Sequence, residues 1–470
     1  MTENSRELIL DALLEMERNR EYSSKLIRAV LDKYHYLDTQ ERSFMKRVLE
    51  GTVERQIELD FYLNHFSTVP VNKMKPLIRC LMRMSVYQLL YMDAVPDSAV
   101  CNEACKLAQK RKFSNLKGFV NGVLRKIARE KEQLPLPDRE TNAGQYLSVK
   151  YSMPLWLVEK WLTQYGMERT ESLLEGLLQI HPVSLRFRSD LSEKKRREYV
   201  TAMEEHGVEL QQSRYLPYVY TATNTDYIGE LPGFAEGAFV VQDVSSALAV
   251  EAAGIGPEDF VLDACAAPGG KTMLAAEKAR KVLSRDVSYE KLDYIQENLE
   301  RMQLSNVDTQ VYDARCVDKQ YVESVDVLLL DVPCSGLGII GKKRDIKYNV
   351  SPESLISIAQ LQKEIITSSW EYVRPGGFLL YSTCTIHAAE NREMVQWMLE
   401  HFPLEPVSLE GRIPELLWKE KKMIDSELYG QARLEEDAET EALNNCMIQL
   451  LPGTMEADGF FFALLRRKKG

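Results

Sequence analysis

The sequence lacks any apolar run long enough to cross a membrane. Its longest apolar stretches, such as VDVLLLDV at 325–332, have strand length and fall far short of the roughly 20 residues that a transmembrane helix needs. The first twenty residues, MTENSRELILDALLEMERNR, are polar and partly acidic, unlike a signal or transit peptide. We therefore expect a soluble cytoplasmic protein that has no membrane partner.

The chain also lacks cysteines at the spacing of a metal site or a CxxC motif. Its eight cysteines form no CxxC motif and have no histidine at metal-binding spacing, so neither a disulfide framework nor a structural zinc is expected. The sequence predicts no metal centre. Because free cysteine is usually a small buried apolar residue, a reactive cysteine has to be identified from its immediate surroundings.

There is no excess of positive charge. Lysine and arginine number 59 against 70 acidic residues, which gives a formal charge of −11 and argues weakly against nucleic acid as a partner. Local patches decide binding, however, and basic residues cluster at 106–117, 124–131, 193–198, 341–347 and 466–469. Solvated helix faces or a charged tail explain most of these runs. The exception is GKKRDIK at 341–347, because it directly follows a loop with catalytic character.

A chain of 470 residues is expected to form two or three domains. Residues 1–132 show helical apolar stripes, such as RELILDALLEME at 6–17 and a longer stretch at 40–63, and predict an all-α bundle. Two prolines among polar residues mark a linker at 133–144.

The remainder mixes strands with helices. Residues 145–240 contain a helix, a strand at 183–188, a charged helix and two short strand candidates, and predict a small α+β module. From 241 to 470, strands alternate with helices as in a doubly wound parallel sheet. The closing run DGFFFALLRRK is predicted to be an edge strand.

The segment LDACAAPGGKT at 262–272 ends a predicted strand and begins a helix. Gly269 and Gly270 permit a tight turn and close backbone approach, and the helix N-terminus presents free N–H groups. The GxxxxGK spacing of a phosphate-binding loop is absent. A purely structural turn would explain two glycines alone, but the added Asp, Pro and Lys favour a ligand site.

Acidic residues follow the next strands: Asp286, Asp313 and Asp331. Such carboxylates suit ribose hydroxyls, an adenine amino group and an ammonium. One alone would be explained as a helix cap, but their repetition at corresponding strand ends favours a nucleoside cofactor.

Two cysteines stand just past predicted strands, Cys334 in DVPCSG and Cys384 in YSTCT. If these strands are neighbours, about 4.8 Å apart, both thiols face one crevice. A core cysteine is the simpler explanation for each alone, yet both lie in loops, where active sites are found.

The motifs DACAAPGGKT, DVPCSGLG and YSTCT together resemble those of the RNA cytosine-C5 methyltransferases of the Nol1/Nop2/Sun family. VVQDVSSALAV and DGFFFALLRR match as well, and the N-terminal bundle, with GFVNGVLRKIAR, is similar to a NusB-type RNA-binding domain. The whole architecture resembles the bacterial Sun/RsmB-type 16S rRNA enzymes. It implies a multidomain protein: a NusB-like bundle (1–132), a linker (133–144), a small α+β linking module (145–240) and a Rossmann-like methyltransferase domain (241–470).

The resemblance also implies residue roles. Binding of S-adenosyl-L-methionine is assigned to the strand-end acids Asp286, Asp313 and Asp331 and to the turn residues Cys265, Ala266, Ala267, Pro268, Gly269, Gly270 and Lys271. Cys384 is implied to be the nucleophile that adds to cytosine C6, and Cys334 the second cysteine, needed for product release. Asp331 is suited to hydrogen-bond the N3/N4 edge of the base.

The expected partner is small-subunit ribosomal RNA, free or partly assembled, and we expect the protein to act as a monomer. RNA contacts are predicted for Lys342, Lys343, Arg344 and Lys347, which follow the Cys334 loop. Arg344 stands where the family usually has Pro, and Arg188 where Asn is common. Both departures leave the RNA contacts open, while the reaction is unaffected.

Two other functions fit parts of the sequence. A non-catalytic RNA-binding or antitermination factor would use the N-terminal bundle alone, but the cysteine pair and the complete cofactor turn argue against it. A titration with the cofactor would separate the two. The second is a tRNA target within the same family, against which the NusB-like extension argues by analogy.

Overall fold

The structure, a computed structural model, describes residues 4–19, 23–34, 36–179, 182–225, 227–429 and 437–469. The chain forms two compact units: Met1–Leu178 with Ile340–Asn349, and Gln179–Ile339 with Val350–Gly470. Among the helices in these ranges, none has the length and apolar character needed to span a membrane.

The first unit is helical, as its apolar stripes predict. The stripe of the first helix packs inward, with Ile9, Ala12 and Leu13 buried in a core that also holds Leu81 and Leu124. The helices are α1 (Ser5–Asn19), α2 (Ser23–Lys33), α3 (Thr39–Glu54), α4 (Gln56–Phe66), α5 (Pro76–Tyr91), α6 (Asp97–Lys110), α7 (Lys117–Glu130), α8 (Ala143–Lys150) and α9 (Leu155–Leu178).

The helical stretch expected at 40–63 is two helices. The break is at Arg55, whose φ of −96° and ψ of 14° are not helical. Its guanidinium lies 3.3 Å from the Glu58 carboxylate and 5.0 Å from the centre of the Tyr91 ring, while the N–H of Ile57 donates to Ser152 Oγ at 3.0 Å. Tertiary partners therefore replace helical continuity at this point.

The small module contains the predicted strand–helix–strand–strand series. Its antiparallel sheet has the order β2-β3-β1-β4, and it consists of β1 (Val183–Phe187), α10 (Glu193–Glu205), β2 (Glu209–Gln212), β3 (Val219–Thr223) and β4 (Phe239–Val241). Part of the segment predicted as this module, including α8 and α9, groups with the first unit. The predicted boundaries at 132, 144 and 240 stay predictions.

The large sheet has the order β10-β12-β9-β8-β5-β6-β7, with β11 also paired to β12. Its strands are β5 (Phe260–Asp263), β6 (Lys281–Asp286), β7 (Val307–Val311), β8 (Val325–Asp331), β9 (Val373–Thr383), β10 (Leu404–Pro406), β11 (Met447–Leu450) and β12 (Phe460–Arg467). The strands from β9 to β7 are parallel, as predicted. The edge-strand prediction for 458–468 is wrong, because β12 pairs with β9 on one side and with β10 and β11 on the other.

Helices cover both faces of this sheet. Alternate strand residues, such as Val327 and Leu329, pack in a cluster with α11, whereas Leu328 and Leu330 pack in the opposite cluster with residues of α15 and α16. The remaining helices of the second unit are α11 (Val244–Ala253), α12 (Gly270–Ala276), α13 (Tyr289–Arg301), α15 (Pro352–Ser369), α16 (Arg392–His401), α17 (Glu415–Tyr429) and Ala438–Asn445, and α14 (Ile346–Asn349) belongs to the first unit.

The order of the parallel strands reverses at β5, which pairs with β6 on one side and β8 on the other. Ligands of open α/β sheets bind at the carboxyl ends of strands at such a point. The turn after β5 and the loops after β8 and β9 therefore lie where a site is expected.

Candidate active site

The turn after β5 is tight, as its glycines predict. Gly269 has a φ of +102°, which favours glycine, and a side chain at Gly270 would lie 3.2 Å from the Gln242 amide. The N–H of Ala267 donates to Asp286 Oδ2 at 3.2 Å. The turn is thus fixed against the end of the neighbouring strand β6.

The acids have different surroundings. Asp286 is buried at the end of β6, whereas Asp313 lies two residues past β7 and binds the Arg315 guanidinium at 2.7 Å, which holds the pKa of Asp313 below its usual range. Asp263, the acid of the LDACAAPGGKT segment, ends β5 fully buried, and burial raises its pKa to about 7.

Lys271 and Asp331 meet, although 60 positions separate them. Lys271 Nζ donates to Asp331 Oδ2 at 2.8 Å, and Ser382 Oγ of β9 donates to Oδ1 at 2.7 Å. The ammonium also lies 5.0 Å from the centre of the Phe460 ring. Both oxygens of Asp331 are therefore oriented by neighbours, and a cation lies beside the carboxylate.

The polar residues that support Lys271 were not predicted from the sequence. Its ammonium donates to Ser246 Oγ at 3.0 Å, which accepts from Gln242 Nε2 at 3.2 Å. Gln242 Oε1 accepts from the buried Arg186 at 2.6 Å. The available signal was a glutamine and a serine in the otherwise mostly apolar segment VVQDVSSALAV.

The two loop cysteines lie together, as predicted. Strands β8 and β9 are neighbours, with Asp331 opposite Ser382, and the sulfurs of Cys334 and Cys384 are 3.2 Å apart. Both are free thiols and half-buried. The hydrogen bond to Cys384 and burial raise the pKa of Cys334 well above the usual thiol value, with further contributions from Glu390 and Asp331. Cys334 therefore holds its proton more tightly than an ordinary thiol does.

The closing strand helps to hold the Cys334 loop. The N–H of Gly338 donates to the Cys384 carbonyl at 3.1 Å, and the N–H of Gly459 donates to the Gly338 carbonyl at 3.0 Å. A side chain at Gly338 would approach the Gly459 oxygen to 1.9 Å. Only glycine permits this backbone contact.

The basic run after the Cys334 loop divides into two groups. Lys342 and Lys343 have exposed side chains. Arg344 forms ion pairs with Glu50 and Glu54 of α3 at 3.2 and 2.9 Å, and Lys347 is 1% exposed. The predicted RNA contact stays a prediction, and the structure offers Lys342 and Lys343 as its accessible residues.

The other departure from the family pattern is also engaged within the protein. Arg188 binds Asp190 at 2.6 Å and donates to the Met302 carbonyl at 2.6 Å. Its charge is therefore used to hold the small module and the loop after α13 together.

Comparisons with known proteins cover all three parts of the chain. The family 16S rRNA methyltransferase RsmB/F matches residues 254–466, the NusB family matches 3–129, and the ferredoxin-like domain of RsmF/B-like methyltransferases matches 153–221. These matches confirm the predicted fold class.

Similar proteins extend over the same length. "Probable ribosomal RNA small subunit methyltransferase B" of Bacillus subtilis is 32% identical over 98% of each chain, and "Ribosomal RNA small subunit methyltransferase B" of Cronobacter sakazakii is 29% identical over 92% of each. The crystal structure of PH0851 shares the fold with a TM-score of 0.75, at 24% identity over 99% of each chain. The structure of NSun6 from Pyrococcus horikoshii with SFG has a TM-score of 0.53 and 19% identity, over 67% of this chain and 99% of that one.

Proposed function

The chain belongs to the RsmB/F family of 16S rRNA methyltransferases, and from this premise we propose that it methylates carbon 5 of a cytosine in 16S ribosomal RNA with S-adenosylmethionine. The observation that carries the proposal is the 3.2 Å separation of the Cys334 and Cys384 sulfurs. A pair of thiols in loops of an α/β methyltransferase fold suits covalent catalysis on a base. A non-catalytic RNA-binding factor would need neither thiol.

The residues after β5 and β6 fit the cofactor. The glycine turn allows close backbone approach, and the Asp286 carboxylate suits ribose hydroxyls. Oδ1 of the buried Asp263 has no hydrogen-bond partner among the described residues, which supports a site that a ligand completes. When bound, S-adenosylmethionine supplies an electrophilic methyl group.

Cys384 is the proposed nucleophile. Carbon 5 of cytosine is unreactive until a thiolate adds to C6, which gives C5 enamine character and divides a difficult step into easier ones. A thiolate beside a second thiol receives a hydrogen bond, and this stabilises the charged form. Cys334, 3.2 Å away, is that donor.

Asp331 is proposed to bind the N3/N4 edge of the cytosine. Its carboxylate is oriented by Lys271 and Ser382, so it is held in place before charge develops on the ring. The base must leave its stack to reach this position, which favours a target in a loop or single strand of RNA.

The release step is assigned to Cys334. After methylation, the C5 proton must leave before the bond between C6 and Cys384 can break. The electron pair of the C5–H bond then forms the C5–C6 double bond, solvent water takes the proton, and Cys384 leaves C6 as a thiolate. The Cys334 sulfur contacts the Cys384 sulfur, so the Cys334 S–H is suited to donate a hydrogen bond to this leaving thiolate.

Two alanine variants test the assignment. With 16S rRNA and the cofactor, Cys384→Ala should give neither methylated RNA nor a covalent adduct. Cys334→Ala should still add and methylate but release slowly, so that enzyme bound to methylated RNA accumulates on denaturing gels. Bisulfite sequencing of the RNA would then locate the cytosine.

The control is Cys316→Ala, because Cys316 is exposed and should leave methylation and release unchanged. An adduct with Cys384→Ala and none with Cys334→Ala would mean that the roles are reversed. Absence of an adduct with both would remove the release role of Cys334, and methylation of tRNA in place of rRNA would refute the substrate.

A further inference from the structure

We propose that Glu390 is a positioning residue for the cysteine pair: its buried carboxylate holds the Cys334 loop against the Cys384 loop and directs the proton to Cys334. The inference deepens the proposed function and rests on it, because it concerns how the two thiols acquire different roles. No role for Glu390 was predicted from the sequence.

Glu390 ties down the chain on one side of Cys334, and Gln362 of α15 ties down the other. Glu390 Oε2 accepts from the N–H of Ser335 at 2.8 Å and from Gln362 Nε2 at 3.1 Å. The same Gln362 nitrogen donates to the Pro333 carbonyl at 2.9 Å. Both neighbours of Cys334 are thus fixed through one carboxylate and one amide.

The same residue is fixed within the loop that follows Cys384. The N–H of Glu390 donates to the His387 carbonyl at 3.0 Å, and the Tyr381 hydroxyl donates to the Glu390 carbonyl at 2.6 Å. His387 Nδ1 lies 3.2 Å from Glu390 Oε1. The side chain therefore bridges the two cysteine loops.

No lysine or arginine side chain among the described residues faces the Glu390 carboxylate. The side chain is fully buried, among the described residues no Lys or Arg forms an ion pair with it, and its ring neighbour is His387, with Nδ1 3.2 Å from Oε1. A buried carboxylate near a thiol disfavours a second negative charge on that thiol. The groups that act on Cys334 are Cys384, Glu390 and Asp331, while Tyr381 is buried beside the same network.

Catalysis needs this asymmetry. One sulfur must add to C6 as a thiolate, and the other must keep its proton until release. Two equivalent thiols would compete, and an adduct from Cys334 would have no donor in the right place. The Glu390 carboxylate accepts from the N–H of Ser335, the residue that directly follows Cys334. Its charge is therefore expected to act more strongly on Cys334 than on Cys384.

The test is the pH dependence of Cys334 alkylation in the full-length chain. In a Cys384→Ala background, the rate at Cys334 is measured with iodoacetamide by peptide mass spectrometry. Glu390→Gln keeps an acceptor for the Ser335 N–H but removes the charge. We expect its profile to move to lower pH by about one unit, whereas Glu393→Gln, an exposed neighbour, should leave the profile in place.

An unchanged profile in Glu390→Gln would overturn the proposal, because a merely structural residue would behave in this way. Glu390→Asp keeps the charge and serves as the second variant, should the Gln variant fail to fold. Its profile should match the parent, and a shift to lower pH would also overturn the proposal. Neither cofactor nor RNA is used, so a failure of the proposed methylation would be seen separately in the methylation assay.

Discussion

The buried ammonium of Lys347 should make the stability of the first unit depend on pH. Nζ donates to the Glu54 carbonyl at 2.8 Å, at the C-terminal end of α3, where the helix dipole favours a cation. Burial nevertheless dominates and lowers the pKa of Lys347 to about 7 from an ordinary value of 10.5. The folded protein therefore binds this proton much more weakly than the unfolded chain.

The sign of the effect follows from proton binding. Between about pH 7 and about pH 10.5, the unfolded chain holds the Lys347 proton and the folded protein has released it, so the free energy of unfolding rises with pH. At 1.36 kcal/mol per pH unit, and with half of the folded molecules still protonated at pH 7, the rise from about pH 7 to about pH 9 amounts to about 2 kcal/mol.

Urea unfolding of the full-length protein at these two pH values, followed by circular dichroism, measures the effect. Lys347→Met retains the chain length without the charge, and Tyr348 still donates to the Glu54 carbonyl at 3.1 Å. The difference in unfolding free energy between parent and variant should shift by about 2 kcal/mol between the two pH values, because other groups titrate equally in both. Lys343→Met is the exposed control. Equal pH dependence in the parent and Lys347→Met would show that the folded protein does not release the Lys347 proton in this range.

Further tests concern the RNA contact and the Cys334 loop. Replacing Lys342 and Lys343 together by alanine should weaken RNA binding and reduce the salt slope by about one to two counterions; a filter-binding titration with an unchanged slope would show that both are ordinary surface residues. Gly338→Ala should displace the loop from Gly459 and lower the methylation rate at least tenfold. A tenfold loss corresponds to roughly 1.4 kcal/mol of activation free energy. Gly122→Ala, which meets no neighbour within 4 Å, should leave methylation unchanged, and full activity in Gly338→Ala would contradict the close contact.

Local patterns in the sequence predicted most of the helices and strands and placed the candidate site at the carboxyl ends of the parallel strands. The 3.6-residue stripe of α1 and the apolar run of β8 depend on neighbours in the chain, so they are visible without tertiary structure. Because the carboxyl ends of parallel strands share one edge of a sheet, the motifs that end β8 and β9 could be expected to bring Cys334 and Cys384 together. The glycine turn after β5 was predictable for the same local reason.

Long-range pairing decided the rest. The run 458–468 has the composition of a strand, but composition does not show that β9, β10 and β11 would all pair with β12. Likewise, Lys347 is the same residue type as Lys343, and only the packing of Ile340–Asn349 with the first unit buries one and exposes the other. The Glu390 carboxylate is separated from Ser335 by 55 positions. The residues with chemical potential are therefore visible in the chain order, whereas the burial of each charge depends on contacts between distant segments that form only in the folded protein.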